Sequence, residues 1–295
     1  MTPIRLFLLV AFTFSWTCFG VLYGLGGFNG AGIYAGGLVT LAMFGPAIGA
    51  LVCAYLYDRG HRARTLGLRV ESWKRFFLWL PYAWMMPCIL AALSVVLCLL
   101  VMGAAPADPA QKLADAVEAT GTPLPMPADM LFWIQIGVGV PIGILINTLA
   151  LTFSEELGWR GWLQPRLAHL GFWKMSALIG LIWGLWHAPI ILMGFNYPGL
   201  GWGGVLAMCV FCMLITPYLS LLRERGAGAW GAGAFHGSIN AVAGASLLWM
   251  PSVEWPHMGL LGLEGFALVL AGWAGIWFYR RARPVSGMAD QGCRR

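Results

Sequence analysis

Two adjacent carboxylates, Glu155 and Glu156, are followed by Arg160 in otherwise apolar sequence, and two distant histidines, His187 and His236, and an amide, Asn240, lie further on. An acid, two imidazoles and an amide are the parts that hydrolysis of an acyl bond requires. A carboxylate takes a proton from water, an imidazole orients that water, and hydrogen-bond donors meet the developing oxyanion. On a helix, residues four apart share a face, so Glu156 can reach Arg160 in Ser154-Glu155-Glu156-Leu157-Gly158-Trp159-Arg160 and His236 lines up with Asn240. This spacing assigns a structural ion pair to Glu156 and Arg160 and leaves Glu155 free to act as a base.

Each piece also has a plainer reading. Paired glutamates can mark the cytoplasmic end of a helix, a histidine in a membrane can bond a neighbouring carbonyl, and a histidine with an asparagine can glue two helices at under about 2 kcal/mol. Convergence argues for a site, because ionisable groups at membrane depth cost about 2.5 to 3.5 kcal/mol each and persist mainly inside the protein. His187 lies about 20 Å along a helix from Lys174, and His236 about 16 Å from Arg225, both measured from one membrane face. Trp183 and Trp186 can wall the pocket around His187, and Pro189 can loosen the backbone there. Glu155 falls nearer the surface, so its helix must tilt or run further than apolarity alone indicates.

The elements that position these groups are membrane helices. With 59% hydrophobic and 10% charged residues and a mean hydropathy of +0.75, the chain is far more apolar than soluble domains. A spanning helix needs about 20 mainly apolar residues, and eight stretches qualify: 4–25, 34–57, 76–103, 131–154, 174–194, 203–222, 229–248 and 259–279. The expected fold is therefore all-α: a polytopic bundle of eight transmembrane helices forming a single domain over 1–283, with a polar tail at 284–295.

Lys and Arg concentrate in short cytoplasmic loops, and this count obeys that bias. With the N-terminus inside, cytoplasmic segments hold Arg5, then the run Arg59 to Arg75, then Arg160, Arg166 and Lys174, then Arg223 and Arg225, then Arg280, Arg281, Arg283, Arg294 and Arg295. Of the 18 basic residues only Lys112 falls outside, in a Pro-rich loop at 104–130 with Asp108, Asp115, Glu118 and Asp129. Both termini are expected in the cytoplasm, in a cell inner or plasma membrane. The net charge of +6 follows from this bias and from attraction to anionic lipid, and no basic, aromatic-interleaved face points to nucleic acid.

Several other features carry no function. The first helix follows Arg5 like a signal sequence, but no small-x-small site closes it. The 7 cysteines lie mostly in helices, Cys209-x-x-Cys212 reads as packing, and the tail Cys293-Arg294-Arg295 is no prenylation box. Gly226-Ala-Gly228-Ala-Trp-Gly231 spells a dinucleotide-binding loop without the strand one requires. His61, His169, His257 and Glu264 belong to loops or helix edges.

The combination Glu155-Glu156-x-x-x-Arg160, Trp183-x-x-x-His187 and His236-x-x-x-Asn240 resembles the CAAX protease and bacteriocin-processing (Abi) family of intramembrane endopeptidases over about 130–250. The family more often has Phe where Trp183 stands. The resemblance implies a peptide hydrolase whose cavity opens toward the cytoplasm and inner leaflet and whose partners are membrane lipid and a peptide or lipid-modified protein. It implies catalytic roles for Glu155, activating water with help from His187, and for His236 with Asn240 as the oxyanion hole, with Glu156, Arg160 and Trp183 supporting. No cofactor is favoured. Zinc held by Glu155, His187 and His236 is the alternative, although no His-Glu-x-x-His occurs and Asn is a poor zinc ligand. A non-catalytic transporter, peptide-binding or immunity protein is the reading from another class; transporters often carry repeats and broken helices, and here only Pro189 and Pro217 interrupt. Natural substrate and oligomeric state are not legible in the sequence.

Overall fold

The computed structural model describes residues 1–58, 60, 62–70 and 72–283. Arg59, His61 and the 284–295 tail with Cys293, Arg294 and Arg295 lie outside the described residues. Among those described, regular structure is helical throughout, apart from an isolated bridge between Glu254 and His257.

Five helices are long and apolar enough to cross a membrane: α1 (Pro3–Gly24), α2 (Tyr34–Tyr57), α3 (Trp73–Met102), α5 (Ala128–Phe153) and α7, whose apolar span is Trp202–Arg225. Between α3 and α5 the Pro-rich loop contains an unanticipated helix, α4 (Pro109–Glu118), started by Pro109 and capped by Asp108, whose carboxylate accepts from the amides of Ala110 and Gln111. The eight-span expectation is thus met by five. The other three segments are helical but fall short: α6 (Phe172–Trp186) stops at 15 residues where Pro189 interrupts, α8 (Gly228–Ser246) is mostly glycine and alanine, and α9 (Leu263–Ala282) carries Glu264, Arg280 and Arg281.

Burial sorts the helices. In α7, 83% of the apolar window is buried, against 11% in α5, so α7 runs through the centre while α5 turns Ile142, Leu145, Ile146 and Leu149 outward as a lipid-facing wall. The closest helix pairs are α8 on α5, α6 on α7, α8 on α3 and α1 on α2. Glycines make the first two seams. A Cβ at Gly237 would fall 2.5 Å from the Thr148 amide nitrogen, and one at Gly184 would fall 2.4 Å from Cys209 Cα. Lacking an aqueous driving force between helices, such small-residue seams let backbones approach. Gly237→Ala is therefore expected to lower the thermal midpoint in detergent, at an overpacking cost of about 1 to 3 kcal/mol. Gly244→Ala, with nothing within 4 Å, should leave the midpoint unchanged.

The bundle has two chemically distinct ends. At one, Arg166 donates twice to Asp58 at 2.7 Å over the ring of Trp162, Arg223 donates to the Arg160 carbonyl and Arg280 pairs with Glu224. The other end carries the loops. There Phe28 stacks on Phe195, the Ala107 amide donates to the Trp249 carbonyl, Lys112 donates to the Pro251 carbonyl and the Tyr197 hydroxyl donates to the Leu261 carbonyl.

Candidate active site

The paired glutamates stand at a break. Helix α5 ends at Phe153, Ser154 leaves helical geometry at φ −109° and ψ −89° while its hydroxyl donates to the Ala150 carbonyl, and a π-helical turn follows over Leu157–Leu163. π-Helical insertions widen a helix locally and recur at functional sites. The chain then continues as helix over Gln164–Leu167, so Glu155 is mid-path and not at a helix end. This resolves its nominal depth: the helical path runs about 18 Å beyond it. Both carboxylates are buried, Glu155 at 4% exposure and Glu156 at 0%, which removes the reading of cheap surface charges.

Their surroundings differ. Glu156 accepts from Arg160 Nη1 at 2.9 Å through Oε1, and the same oxygen lies 2.9 Å from Nδ1 of His236. Arg160, itself wholly buried, also donates to the Thr216 hydroxyl at 3.1 Å and lies 4.5 Å from the Trp183 ring centroid. Glu155 instead accepts from Trp183 Nε1 at 2.7 Å through Oε2. The ion pair falls where i, i+4 spacing puts it.

His187 sits at the junction between α6 and the short helix Ala188–Leu192, where the Pro189 interruption ends α6. Its Nδ1 lies 2.8 Å from the Trp183 carbonyl. A carbonyl only accepts, so Nδ1 carries a proton and the neutral ring keeps a lone pair on Nε2. The ring packs edge-on against Trp186 at 4.7 Å. Trp183 is the hub: its indole nitrogen holds Glu155, its carbonyl holds His187, and its ring meets His236 edge-on at 4.9 Å.

Glu155, Trp183, His187, His236 and Asn240 line one cavity of about 570 Å³; Glu156 and Arg160 stand behind its wall. Three helical segments supply the polar groups, and the rest of the lining is largely apolar, including Phe19, Met43, Met208 and Phe211. Thr216, which anchors the far side of Arg160, went unnoticed in the sequence. Its signal was a hydroxyl residue beside Pro217 in an apolar run, where the hydroxyl bonds the Cys212 carbonyl.

Among the described residues no three His, Cys, Asp or Glu side chains are grouped so as to hold an ion, and Glu155, His187 and His236 each place one side-chain polar atom on a protein partner. The described cysteines are free thiols, Cys209 and Cys212 buried among them. Exposure along the cavity has a direction. Glu155 (4%), His187 (8%) and His236 (5%) form the floor, whereas Asn240, Gly244, Pro198 and Val253 are exposed at the rim. That rim belongs to the loop end, away from the basic segments.

Residues 137–242 match the family model described as type II CAAX prenyl endopeptidase, Rce1-like. Over 59 residues the chain is 44% identical to CAAX prenyl protease 2 of Methanococcus maripaludis, a match covering 20% of this chain and 21% of that protein. The chain thus matches about one fifth of that relative's length.

Proposed function

We propose, for a chain whose residues 137–242 belong to the CAAX protease family, that it is an intramembrane endopeptidase that hydrolyses a peptide bond in a membrane-associated or lipid-modified substrate. The observation that carries this reading is the unequal treatment of two adjacent carboxylates: Glu156 is locked to Arg160 behind the wall, while Glu155 reaches a cavity shared with His187, His236 and Asn240.

In this mechanism, water is held between the free Oε1 of Glu155 and the unprotonated Nε2 of His187. Glu155 takes one water proton as the oxygen bonds to the scissile carbonyl carbon. The carbonyl oxygen becomes an oxyanion that the Asn240 amide and His236 Nε2–H receive. Collapse breaks the C–N bond, and Glu155 returns the proton to the leaving nitrogen, giving a carboxylic acid, which then ionises by losing its proton to solvent, and a free amine. The Nδ1–H of His236 donates to Glu156, which orients the ring, and donation from Nε2 as well uses both ring nitrogens as donors.

Trp183 adds something a phenylalanine could not: an N–H on the base. Trp183→Phe keeps the aromatic wall and removes a hydrogen bond to a charged group worth about 1.5 kcal/mol or more. Turnover is expected to fall about tenfold with KM little changed, measured on purified protein.

The test of the function is cleavage, by detergent-solubilised protein, of internally quenched peptides ending in a lipid-modified cysteine. Native protein should cleave, and His187→Ala should be folded and inactive; an active His187→Ala variant would remove His187 from the mechanism. We read the reaction as metal-free, with both termini cytoplasmic. Stoichiometric zinc in active protein, with activity lost to a chelator, would overturn the first of these.

A further inference from the structure

We propose that Asn196 grips the main chain of the substrate, pairing its side-chain amide with the backbone N–H and C=O of one extended peptide residue near the scissile bond. This deepens the hydrolase reading and rests on it for the reaction. Its geometry comes from the loop between the short helix Ala188–Leu192 and α7.

Among the described residues, Asn196 is the one residue other than glycine with a positive φ, at 59°. The Tyr197 amide donates to the Phe195 carbonyl at 2.7 Å, so the chain reverses around Asn196 in a γ-turn of the rare, strained hand. Glycine adopts such backbone without steric cost, and the same loop uses it at Gly194, Gly199 and Gly201. At 196 a side chain is kept. Both neighbours are pinned: Phe195 stacks on Phe28 at 6.0 Å, and Tyr197, 1% exposed, donates its hydroxyl to the Leu261 carbonyl at 3.0 Å. Strained residues persist where their surroundings over-determine them, and they cluster at ligand clamps.

The surroundings here place Asn196 in the wall of the cavity that Glu155 and His187 share. Glu155, Trp183, His187 and His236 each hold a protein partner there, and Asn240 is assigned to the oxyanion. The partly buried Asn196 side chain has no hydrogen-bond partner among the described residues. A primary amide presents an N–H donor beside a C=O acceptor, and one residue of an extended peptide presents its own N–H and C=O on the same edge. Between apolar walls such as Phe19, Met208 and Phe211, a main chain left without partners carries the cost of buried polar groups. Recognition of this kind reads no side chain, so the gripped residue can vary, except that proline lacks the N–H.

The test uses detergent-solubilised full-length protein and internally quenched peptides ending in a lipid-modified cysteine, each backbone N–H methylated in turn. Asn196→Gly suits the positive φ and removes only the side chain, so the thermal midpoint should hold. KM for the unmodified peptide is expected to rise about tenfold, as loss of two neutral hydrogen bonds produces, with kcat little changed. In native protein, methylation at one position should raise KM by a similar factor, and Asn196→Gly should abolish sensitivity at that position alone, the non-additivity that marks a direct contact. A native KM in Asn196→Gly overturns the proposal, as does a raised KM with every methylation effect unchanged. Should native protein cleave none of these peptides, the hydrolase reading fails, and the comparison is read from binding of the fluorescent peptide: weaker binding to Asn196→Gly supports the grip, and equal affinities, or no binding to either protein, overturn it.

Discussion

Glu155→Gln is expected to lower peptide hydrolysis by about three orders of magnitude while leaving the fold intact, within the range that loss of a positioned general base produces. The amide is isosteric, and its carbonyl oxygen can still accept from Trp183 Nε1, the bond that fixes the side chain. What it cannot do is take a proton from water. Because Glu155 is nearly buried and unpaired with any cation in the same way as its neighbour, neutralising it removes no ion pair. Glu156→Gln should behave oppositely: it leaves Arg160 buried without its counter-charge and so reduces stability first. Measuring turnover and thermal midpoint for both variants separates the two glutamates. A Glu155→Gln protein cleaving at the native rate would place the base elsewhere.

Much of this division was legible in the sequence because it depends on helical periodicity alone. The i, i+4 spacing that joins Glu156 to Arg160, and sets His236 on one face with Asn240, needs no tertiary knowledge. Pro189 likewise announces the break at His187. What could not be read depends on rotation and packing between helices. Trp183 is indistinguishable from a packing tryptophan until its indole nitrogen is seen 2.7 Å from Glu155. The partnership of His236 with Glu156 joins residues 80 apart in sequence. The break at Ser154 and the π turn after it shift the register, so an ideal helix misjudges how far the path runs beyond Glu155. The count of eight spans treated every apolar run as a full membrane-spanning helix, although α6 is cut short and α8 is built from small residues for close packing. The direction of the cavity follows from which loops meet at one end, information that no single segment contains.

Arg160 carries the other large expected effect. It is wholly buried, donates to Glu156 at 2.9 Å and Thr216 at 3.1 Å, and lies over the Trp183 ring. Removing one member of a buried ion pair leaves the other charge uncompensated, at about 3 to 5 kcal/mol, so Arg160→Met should give protein that loses its thermal transition in detergent or fails to accumulate. Arg160→Lys keeps the charge without the planar fork and should be intermediate. Replacing both partners by apolar residues of similar volume is often neutral, so the double variant Glu156→Leu with Arg160→Met should recover most of the lost stability. It should not recover activity, because His236 would have no acceptor for its Nδ1 proton and would lose the bond that orients its ring. A double variant both stable and fully active would show that the ion pair only supports the fold and that His236 needs no help from Glu156; stable and inactive is the result expected if Glu156, behind the wall, orients the ring in front of it.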